Sequence, residues 1–198
     1  MFHKTSPNNG PVVGIGSVLC GIAHLSDLSM SNLYNLGFYI DSLATIKLVL
    51  DLPFGYALRV LERERNNPLQ LLVVTWNPCQ EYIEDLWDLQ PGALLAGVVC
   101  QNQSLAEVLL EVITYMSYGK RYRLTPGPST PLTSRERAIL HYVARGWVNK
   151  RVAQELHIEE QTVKNTLRCA YRKLGLCHRA QAALYYWGVL QRVSSVDT

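Results

Sequence analysis

The sequence predicts an α/β domain with a doubly wound parallel sheet, followed by an all-α domain of four short helices. Between residues 11 and 123, apolar runs alternate with helical patterns, which is typical of parallel strands joined by helices. Between residues 132 and 190 the periodicity is helical throughout. A chain of 198 residues that is 48% hydrophobic is long enough to bury a core in each of two small domains.

The charge is distributed unevenly along the chain. Residues 1–124 contain 8 Lys/Arg and 11 Asp/Glu, a net charge of −3, whereas residues 125–198 contain 11 and 5, a net charge of +6. The boundary falls at residues 125–131, Thr-Pro-Gly-Pro-Ser-Thr-Pro, whose composition is typical of a linker. We therefore predict domains at 1–124 and 132–198, of which the second is expected to bind a polyanion.

The cysteines and the N-terminus place further bounds on the protein class. The five cysteines form no CxxC pair, which gives no indication of a disulfide framework, a zinc site or another metal cofactor. A thiol switch at Cys79 or Cys100 is an alternative to their being ordinary buried side chains. Because the N-terminus lacks an apolar signal core and no span suits a membrane helix, we expect a cytoplasmic protein that makes no membrane contact.

The strands of the first domain are predicted from five apolar runs: Pro11–Leu19, Phe38–Ile40, Lys47–Leu50, Leu71–Trp76 and Leu94–Val99. A capping box of Ser104 and Glu107 follows the last run and begins a predicted helix that extends to Gly119.

The second domain contains closely spaced helix signals. Thr133 and Glu136 form a capping box, Gly146 ends the first helix, and Asn149 is predicted to cap the second. The third helix, from Thr162, follows after a very short turn. This spacing is that of a helix-turn-helix.

The third helix has one apolar face and one basic face. Val163, Leu167, Ala170, Tyr171 and Leu174 recur at helical spacing and are predicted to be buried. The opposite face carries Lys164, Asn165, Arg168 and Arg172. A helix of this size fits the major groove of B-DNA, where such side chains can bind phosphates and base edges, although a solvated helix surface would have a similar composition.

Five short motifs resemble the LuxR-type family in order and spacing. They are Leu-Thr-Ser-Arg-Glu-Arg (132–137), Asn-Lys-Arg-Val-Ala (149–153), Thr-Val-Lys-Asn (162–165), Arg-Lys-Leu-Gly (172–175) and Arg-Ala-Gln-Ala-Ala (179–183). The resemblance covers about sixty residues and implies a recognition helix that begins with Thr162 to Arg168. It implies groove contacts from Lys164, Asn165 and Arg168 and backbone contacts from Lys150 and Thr162, to which Lys173 could add one more.

Two positions depart from the LuxR-type pattern. Glu159 stands where Ser or Thr usually caps the recognition helix, and Thr166 stands where His is common, so the base preference of relatives does not transfer. The fourth helix, about Arg179 to Leu190, corresponds to a dimer contact in similar proteins. Its predicted interface residues are Ala182, Ala183, Tyr186 and Leu190, while closure of the four-helix core is the alternative role.

The first domain resembles the receiver domain of NarL/FixJ-like response regulators. Leu-Val-Leu-Asp51 matches the strand that ends in the phosphoacceptor, and Leu-Val-Val-Thr75 matches the strand of the switch threonine. However, Val12-Val-Gly-Ile-Gly-Ser stands in place of the acidic pair, and Cys100 in place of the conserved lysine. Since magnesium and phosphate would lack these partners, the resemblance implies a degenerate receiver with a vestigial Asp51.

Together these features predict a non-enzymatic, sequence-specific transcription regulator that binds double-stranded DNA as a homodimer. Its pseudo-receiver would dimerise or sense a signal or partner independently of phosphorylation. Two alternatives remain at this point. One is a phosphorylation-dependent response regulator that uses Asp51, and the other is an interaction protein whose basic helices dock onto RNA polymerase or another regulatory protein.

Overall fold

A computed structural model of the chain describes residues 13–15, 17–20, 38–40, 46–64, 70–89, 94–98 and 130–190. The chain separates into two compact units. The first comprises Met1–Trp76 and Leu86–Pro126, and the second comprises Asn77–Asp85 and Gly127–Thr198. Most of the predicted linker and the predicted helix from Ser104 to Gly119 lie outside the described residues.

The first unit contains parallel strands. They are β1 (Val13–Ile15), β2 (Ser17–Cys20), β3 (Phe38–Ile40), β4 (Ile46–Leu50), β5 (Gln70–Thr75) and β6 (Leu94–Val98). β1 and β3 form a two-stranded sheet, and the other strands form a four-stranded sheet in the order β2, β4, β5, β6, with every pairing parallel. The predicted parallel α/β sheet is therefore confirmed, with the first predicted strand divided into β1 and β2.

The centre of this sheet is buried on both faces. Leu48 and Val49 in β4 and the run Leu71–Val74 in β5 are completely inaccessible to solvent. Continuous apolar strands of this kind occur where helices cover both sides of a sheet. Between β4 and β5 lies α1 (Tyr56–Arg63), which buries Ala57, Leu58, Val60 and Leu61 along one face.

The second unit contains the four predicted C-terminal helices. They are α3 (Ser134–Ala144), α4 (Asn149–Glu155), α5 (Glu160–Leu174) and α6 (Arg179–Tyr186), while α2 (Gln80–Leu89) comes earlier in the chain. Ile139, Val143, Val152, Ala153, Val163 and Leu167 form their common core. No helix in the described ranges has the length and hydrophobicity of a membrane-spanning segment.

The ends of these helices differ in how well the sequence predicted them. The capping box is confirmed, since the Glu136 amide donates to Thr133 Oγ1 and the Thr133 amide donates to Glu136 Oε2. The predicted end of the fourth helix at Leu190 is wrong. The helix ends at Tyr186, and Gly188 then adopts a left-handed φ of 71°.

The predicted cap of α4 is also wrong. Val148, and not Asn149, occupies the N-cap position, with φ −69° and ψ 152° and no side-chain hydrogen bond to the helix. Asn149 is instead the first helical residue, and its Oδ1 accepts a hydrogen bond from Arg179. The Val148 side chain is apolar and 64% exposed to water. The first amides of α4 therefore have no side-chain acceptor at the N-cap position.

Replacing Val148 by Ser is expected to stabilise the protein by about 1 kcal/mol, since serine supplies an N-cap acceptor in the extended conformation that position 148 already has. Urea denaturation would measure the change. Val148→Ala is the matched control, because alanine removes exposed apolar surface at the same position without supplying a side-chain acceptor. If both substitutions raised the free energy of unfolding equally, the effect would come from the loss of an exposed apolar side chain and not from the cap.

Residues 77–85 are an integral part of the second unit. Asn77 Nδ2 donates to the Tyr186 carbonyl oxygen at 3.0 Å, and the Tyr82 and Tyr186 rings make an edge-to-face contact at 5.5 Å. Tyr82 also contacts the Trp187 ring at 6.0 Å. Edge-to-face aromatic contacts of this kind add to the stabilisation from burial alone. The core around α6 thus includes side chains from a distant part of the sequence.

Carboxylates in the same segment accept hydrogen bonds from α6. Tyr185 Oη donates to Glu81 at 2.6 Å, and Tyr186 Oη donates to Asp85 at 2.6 Å. His141 Nδ1 lies 2.9 Å from the same Asp85 oxygen. Burial raises the pKa of the Tyr186 hydroxyl well above its ordinary value, and the nearby Asp85 carboxylate adds to this effect. Tyr186 therefore stays protonated and remains a donor.

Candidate nucleic-acid interface

The helix α5 presents a polar stripe to solvent. Its opposite side buries Val163, Leu167, Ala170 and Leu174 against the other helices. Fifteen residues give it a length of about 22 Å at roughly 1.5 Å per residue. The exposed stripe consists of Gln161, Lys164, Asn165, Arg168 and Arg172. These side chains supply hydrogen-bond donors, acceptors and positive charge on one accessible surface.

The ends of α5 hold this stripe in a defined position. A four-residue turn separates α4 from α5, and His157 within it has a positive φ of 51°. Glu159 occupies the N-cap position without a side-chain hydrogen bond, yet its negative charge is favourable at a helix N-terminus. Gly175 ends the helix at φ 69°, a conformation that favours glycine.

The cations of α5 border an open groove of about 540 Å³. Lys164, Arg168, Arg172 and Arg179 line it together with Asn149, Leu167, Tyr171, Leu176 and Cys177. Lys164 also forms an i,i+4 ion pair with Glu160 at 2.9 Å, and both side chains are about half exposed. Because an exposed pair of this kind contributes little stability, Lys164 can exchange Glu160 for another anion at small cost.

Arg179 links the helices of the helix-turn-helix through hydrogen bonds. The sequence patterns did not predict this role. The Arg179 guanidinium donates to the Val143 and Trp147 carbonyl oxygens and to Asn149 Oδ1. It therefore connects the start of α6 to the turn between α3 and α4. A neighbouring cation–π contact, with Arg151 3.7 Å from the Trp147 ring centroid, adds to this turn. The pattern marked Arg179 only as part of a motif.

The residues predicted to contact the DNA backbone differ in their surroundings. Lys150 is exposed in the first turn of α4, and Thr162 is half-buried in the first turn of α5. Lys173 instead points its ammonium group at a buried carboxylate, with Nζ 2.6 Å from Glu136 Oε2. The structure therefore pairs Lys173 with Glu136 while leaving the lysine side chain 35% exposed, and its phosphate contact stays a prediction.

Glu136 is the buried partner in this ion pair. It is only 6% exposed, and burial by itself would raise its pKa. Hydrogen bonds from Lys173 and from Thr133 outweigh the burial and lower the pKa below its ordinary value of 4.5. A carboxylate whose pKa is lower in the folded state stabilises the fold above the unfolded pKa. This stabilisation is lost as the pH falls through the folded pKa.

Lys173→Met is therefore expected to destabilise the protein by about 2 kcal/mol near neutral pH, since it leaves Glu136 buried without its cation. The same change should raise the pKa of Glu136 and move acid unfolding to a higher pH. Circular dichroism during acid titration would show both effects. Arg172→Met removes an equal charge from the adjacent exposed position, and an equal shift there would contradict the specific role of the Glu136 pair.

The predicted dimer residues occupy different environments. Ala182 and Tyr186 are completely buried within the chain's own core, while Ala183 and Leu190 are half-buried. The exposed apolar side chains at and just after α6 are Leu184, at 46%, and Val189, at 70%. Leu184 and Val189 thus expose more apolar surface than Ala182 or Tyr186 do.

Asp51, the predicted vestigial phosphoacceptor, is buried. Asp51 follows β4 and is inaccessible to solvent. Its Oδ1 accepts from the Ala57 amide at 2.9 Å in the first turn of α1, and its Oδ2 accepts from Thr75 Oγ1 at 2.7 Å. This carboxylate thus stabilises the start of α1 and joins β4 to β5. Both of its oxygens are already engaged by groups of the chain.

Cys79, one of the two candidates for a thiol switch, lies in surroundings that disfavour its reactive form. Cys79 is buried, and its Sγ lies 3.4 Å from a Glu81 carboxylate oxygen. Burial raises the pKa of the Cys79 thiol well above its ordinary value, and the nearby Glu81 charge adds to this effect. The nucleophilic thiolate is therefore disfavoured at Cys79. Cys100 lies outside the described residues.

Two curated regulatory proteins are similar in sequence to about half of this chain. Nitrate/nitrite response regulator protein NarP of Escherichia coli (strain K12) is 32% identical over 51% of this chain and 47% of its own length. Probable transcriptional regulatory protein SgaR of Hyphomicrobium methylovorum is 36% identical over 43% of this chain and 44% of its own. The chain thus spans about half the length of these curated relatives.

A solved structure of two RcsB dimers bound to two parallel DNAs is similar in fold, with a TM-score of 0.50 and 15% sequence identity. The similarity covers 90% of this chain and 100% of the RcsB chain. Residues 130–186 match the family described as "Bacterial regulatory proteins, luxR family". The matched residues contain the four C-terminal helices α3 to α6, so the similarity to this family covers the predicted helix-turn-helix.

Proposed function

We propose that this protein is a transcription regulator that binds double-stranded DNA by inserting α5 into the major groove. The observation that carries this function is the exposed stripe of α5, in which two arginines, a lysine and two amides face solvent while the opposite side is buried. Arginine and lysine bind guanine edges and phosphates, and amides bind adenine. The family of the C-terminal domain and the regulatory relatives support the same function.

The proposed regulator acts as a homodimer on a two-fold symmetric site. In the RcsB structure the DNA-bound species are dimers. In this chain the exposed Leu184 and Val189, with the half-buried Ala183 and Leu190 beside them, supply an apolar surface for a second copy. Two recognition helices related by a two-fold axis would bind half-sites about one helical turn apart.

DNA binding is tested by fluorescence anisotropy with the promoter region of the protein's own gene and with scrambled DNA of equal length. Titrations at several salt concentrations separate the charge-dependent part of the affinity from the sequence-dependent part. We expect tighter binding to the promoter at every salt concentration, and a log–log slope that reports a few phosphate contacts. Equal and weak binding to both DNAs would refute sequence-specific regulation.

Control of this regulator is proposed to be independent of phosphorylation. Phosphoryl transfer to a carboxylate requires access for the donor and divalent-cation ligands close to the acceptor. Asp51 is inaccessible, and both of its oxygens accept hydrogen bonds from the chain. The N-terminal domain, proposed as a degenerate receiver over residues 1–124 that is joined by linker 125–131, would instead respond to a protein or ligand contact.

Treatment with a small phosphate donor and magnesium is expected to leave the intact mass unchanged, because Asp51 is not available to the donor. Asp51→Asn should also bind DNA as the unmodified protein does, since an amide oxygen can still accept from Ala57 at the start of α1. Mass spectrometry and the anisotropy assay measure the two results. A mass gain of one phosphoryl group that the Asn variant lacks would restore the phosphorylation-dependent alternative.

A further inference from the structure

Gln161 belongs to the polar stripe of α5, but the sequence patterns did not predict it to contact DNA. Gln161 is exposed one helical turn before Lys164 and Asn165. Residues in the N-terminal part of a recognition helix are the ones that contact base edges. The position of Gln161 therefore allows it to reach a base if α5 enters the groove.

The amide of Gln161 has a defined orientation. Its Nε2 donates to Asn165 Oδ1 at 3.1 Å, one turn further along α5. This bond uses one of the two Nε2 hydrogens and leaves the second, together with Oε1, without another partner among the residues that the structure describes. The Gln161 amide thus presents one acceptor, Oε1, and one donor, the second Nε2 hydrogen, side by side.

We propose that Gln161 reads an adenine in the major groove and that Asn165 holds its amide in the correct orientation. Adenine offers an amino group at N6 and an acceptor at N7, which match Oε1 and the remaining Nε2 hydrogen. The bond to Asn165 reduces the rotational freedom that Gln161 would otherwise lose on binding. This inference rests on the proposed function, since it specifies what the same helix recognises.

Asn165 would at the same time face a different base pair. Residues four apart on a helix are separated by about 6 Å along its axis, which is close to two base-pair steps of about 3.4 Å. Asn165 Oδ1 is engaged by Gln161, while its Nδ2 remains a donor for a purine N7 or another acceptor. The two amides would therefore specify two separate positions of the site.

The test is selection of binding sites from a randomised DNA library by the full-length protein and its variants. The unmodified protein should select adenine at one position that becomes indifferent in Gln161→Ala, with a loss of about tenfold on the selected site. Gln161→Glu should shift this position towards cytosine, because a carboxylate accepts from the cytosine amino group and cannot donate to adenine N7. Gln154→Ala, at an exposed glutamine of α4, is the control and should leave the profile unchanged.

The possible results separate this inference from the proposed function. If the unmodified protein selects no sequence, the proposed function and the inference both fail. If it selects a site whose profile is the same in Gln161→Ala and Gln161→Glu, only the inference fails. A change in thermal stability with an unaltered profile would likewise overturn it, by showing that the Gln161–Asn165 bond only supports the helix.

Discussion

Replacing Lys164 and Arg168 together by alanine is expected to weaken binding to duplex DNA by about 100-fold or more at moderate salt. Both side chains are exposed on α5 and line the same groove. A bidentate contact to guanine contributes about 1–3 kcal/mol, and each phosphate contact that is lost removes a released counterion from the binding equilibrium. Fluorescence anisotropy over a range of salt concentrations would show the lower affinity and a shallower salt dependence.

The matched control for this experiment is Arg59→Ala with Arg63→Ala. Both arginines are exposed on α1 in the N-terminal unit, and their removal changes the net charge by the same amount. Unimpaired DNA binding by the Lys164/Arg168 variant would disprove the assignment of α5. If DNA binding is lost while regulation in cells survives, regulation does not require DNA recognition by α5 and proceeds through contact with RNA polymerase or another regulatory protein.

Gly188→Ala is expected to destabilise the C-terminal unit by about 3 kcal/mol. Its φ of 71° is strained for any residue with a β-carbon, and that carbon would lie 2.7 Å from Asn77 Oδ1 and 3.0 Å from Pro78 Cδ. Asn77 cannot move away cheaply, because it donates to the Tyr186 carbonyl and accepts from the Cys79 amide. Urea denaturation followed by circular dichroism measures the loss.

Gly146→Ala separates backbone strain from packing in this experiment. Gly146 has a φ of 85°, yet a β-carbon there would meet nothing within 4 Å. We expect it to cost only about 1 kcal/mol, the backbone penalty alone. Equal losses from the two substitutions would mean that residues 77 and 78 do not pack against Gly188 in solution.

The parts of the fold that were predictable are those specified by local patterns. Val73 and Leu48 belong to apolar runs of strand length, which predict buried strands without knowledge of their partners. Val163, Leu167 and Leu174 recur at helical spacing, so the buried face of α5 and its polar face follow together. The Thr133–Glu136 capping box is equally local, since its two hydrogen bonds span three residues.

The features that could not be predicted depend on residues far apart in the sequence. Lys173 has the composition of a phosphate contact, but Glu136 lies 37 positions earlier and engages its ammonium group. Tyr186 has the spacing of a surface helix residue, but Asp85 and Tyr82, about a hundred positions earlier, cover it. Periodicity shows that a side chain is near an apolar face and cannot show which segment packs against it.

The sequence by itself determined a parallel α/β region, a C-terminal helix-turn-helix and the basic stripe with Lys164, Asn165 and Arg168. These follow from the 3.6-residue and strand periods and from turn residues, which act within a few positions. Only the tertiary structure decided that Asp51 accepts a hydrogen bond from the first turn of α1, that Lys173 pairs with Glu136 and that residues 77–85 complete the core around α6. The physical reason is that a buried polar group requires a partner, and the fold brings that partner from any distance along the chain.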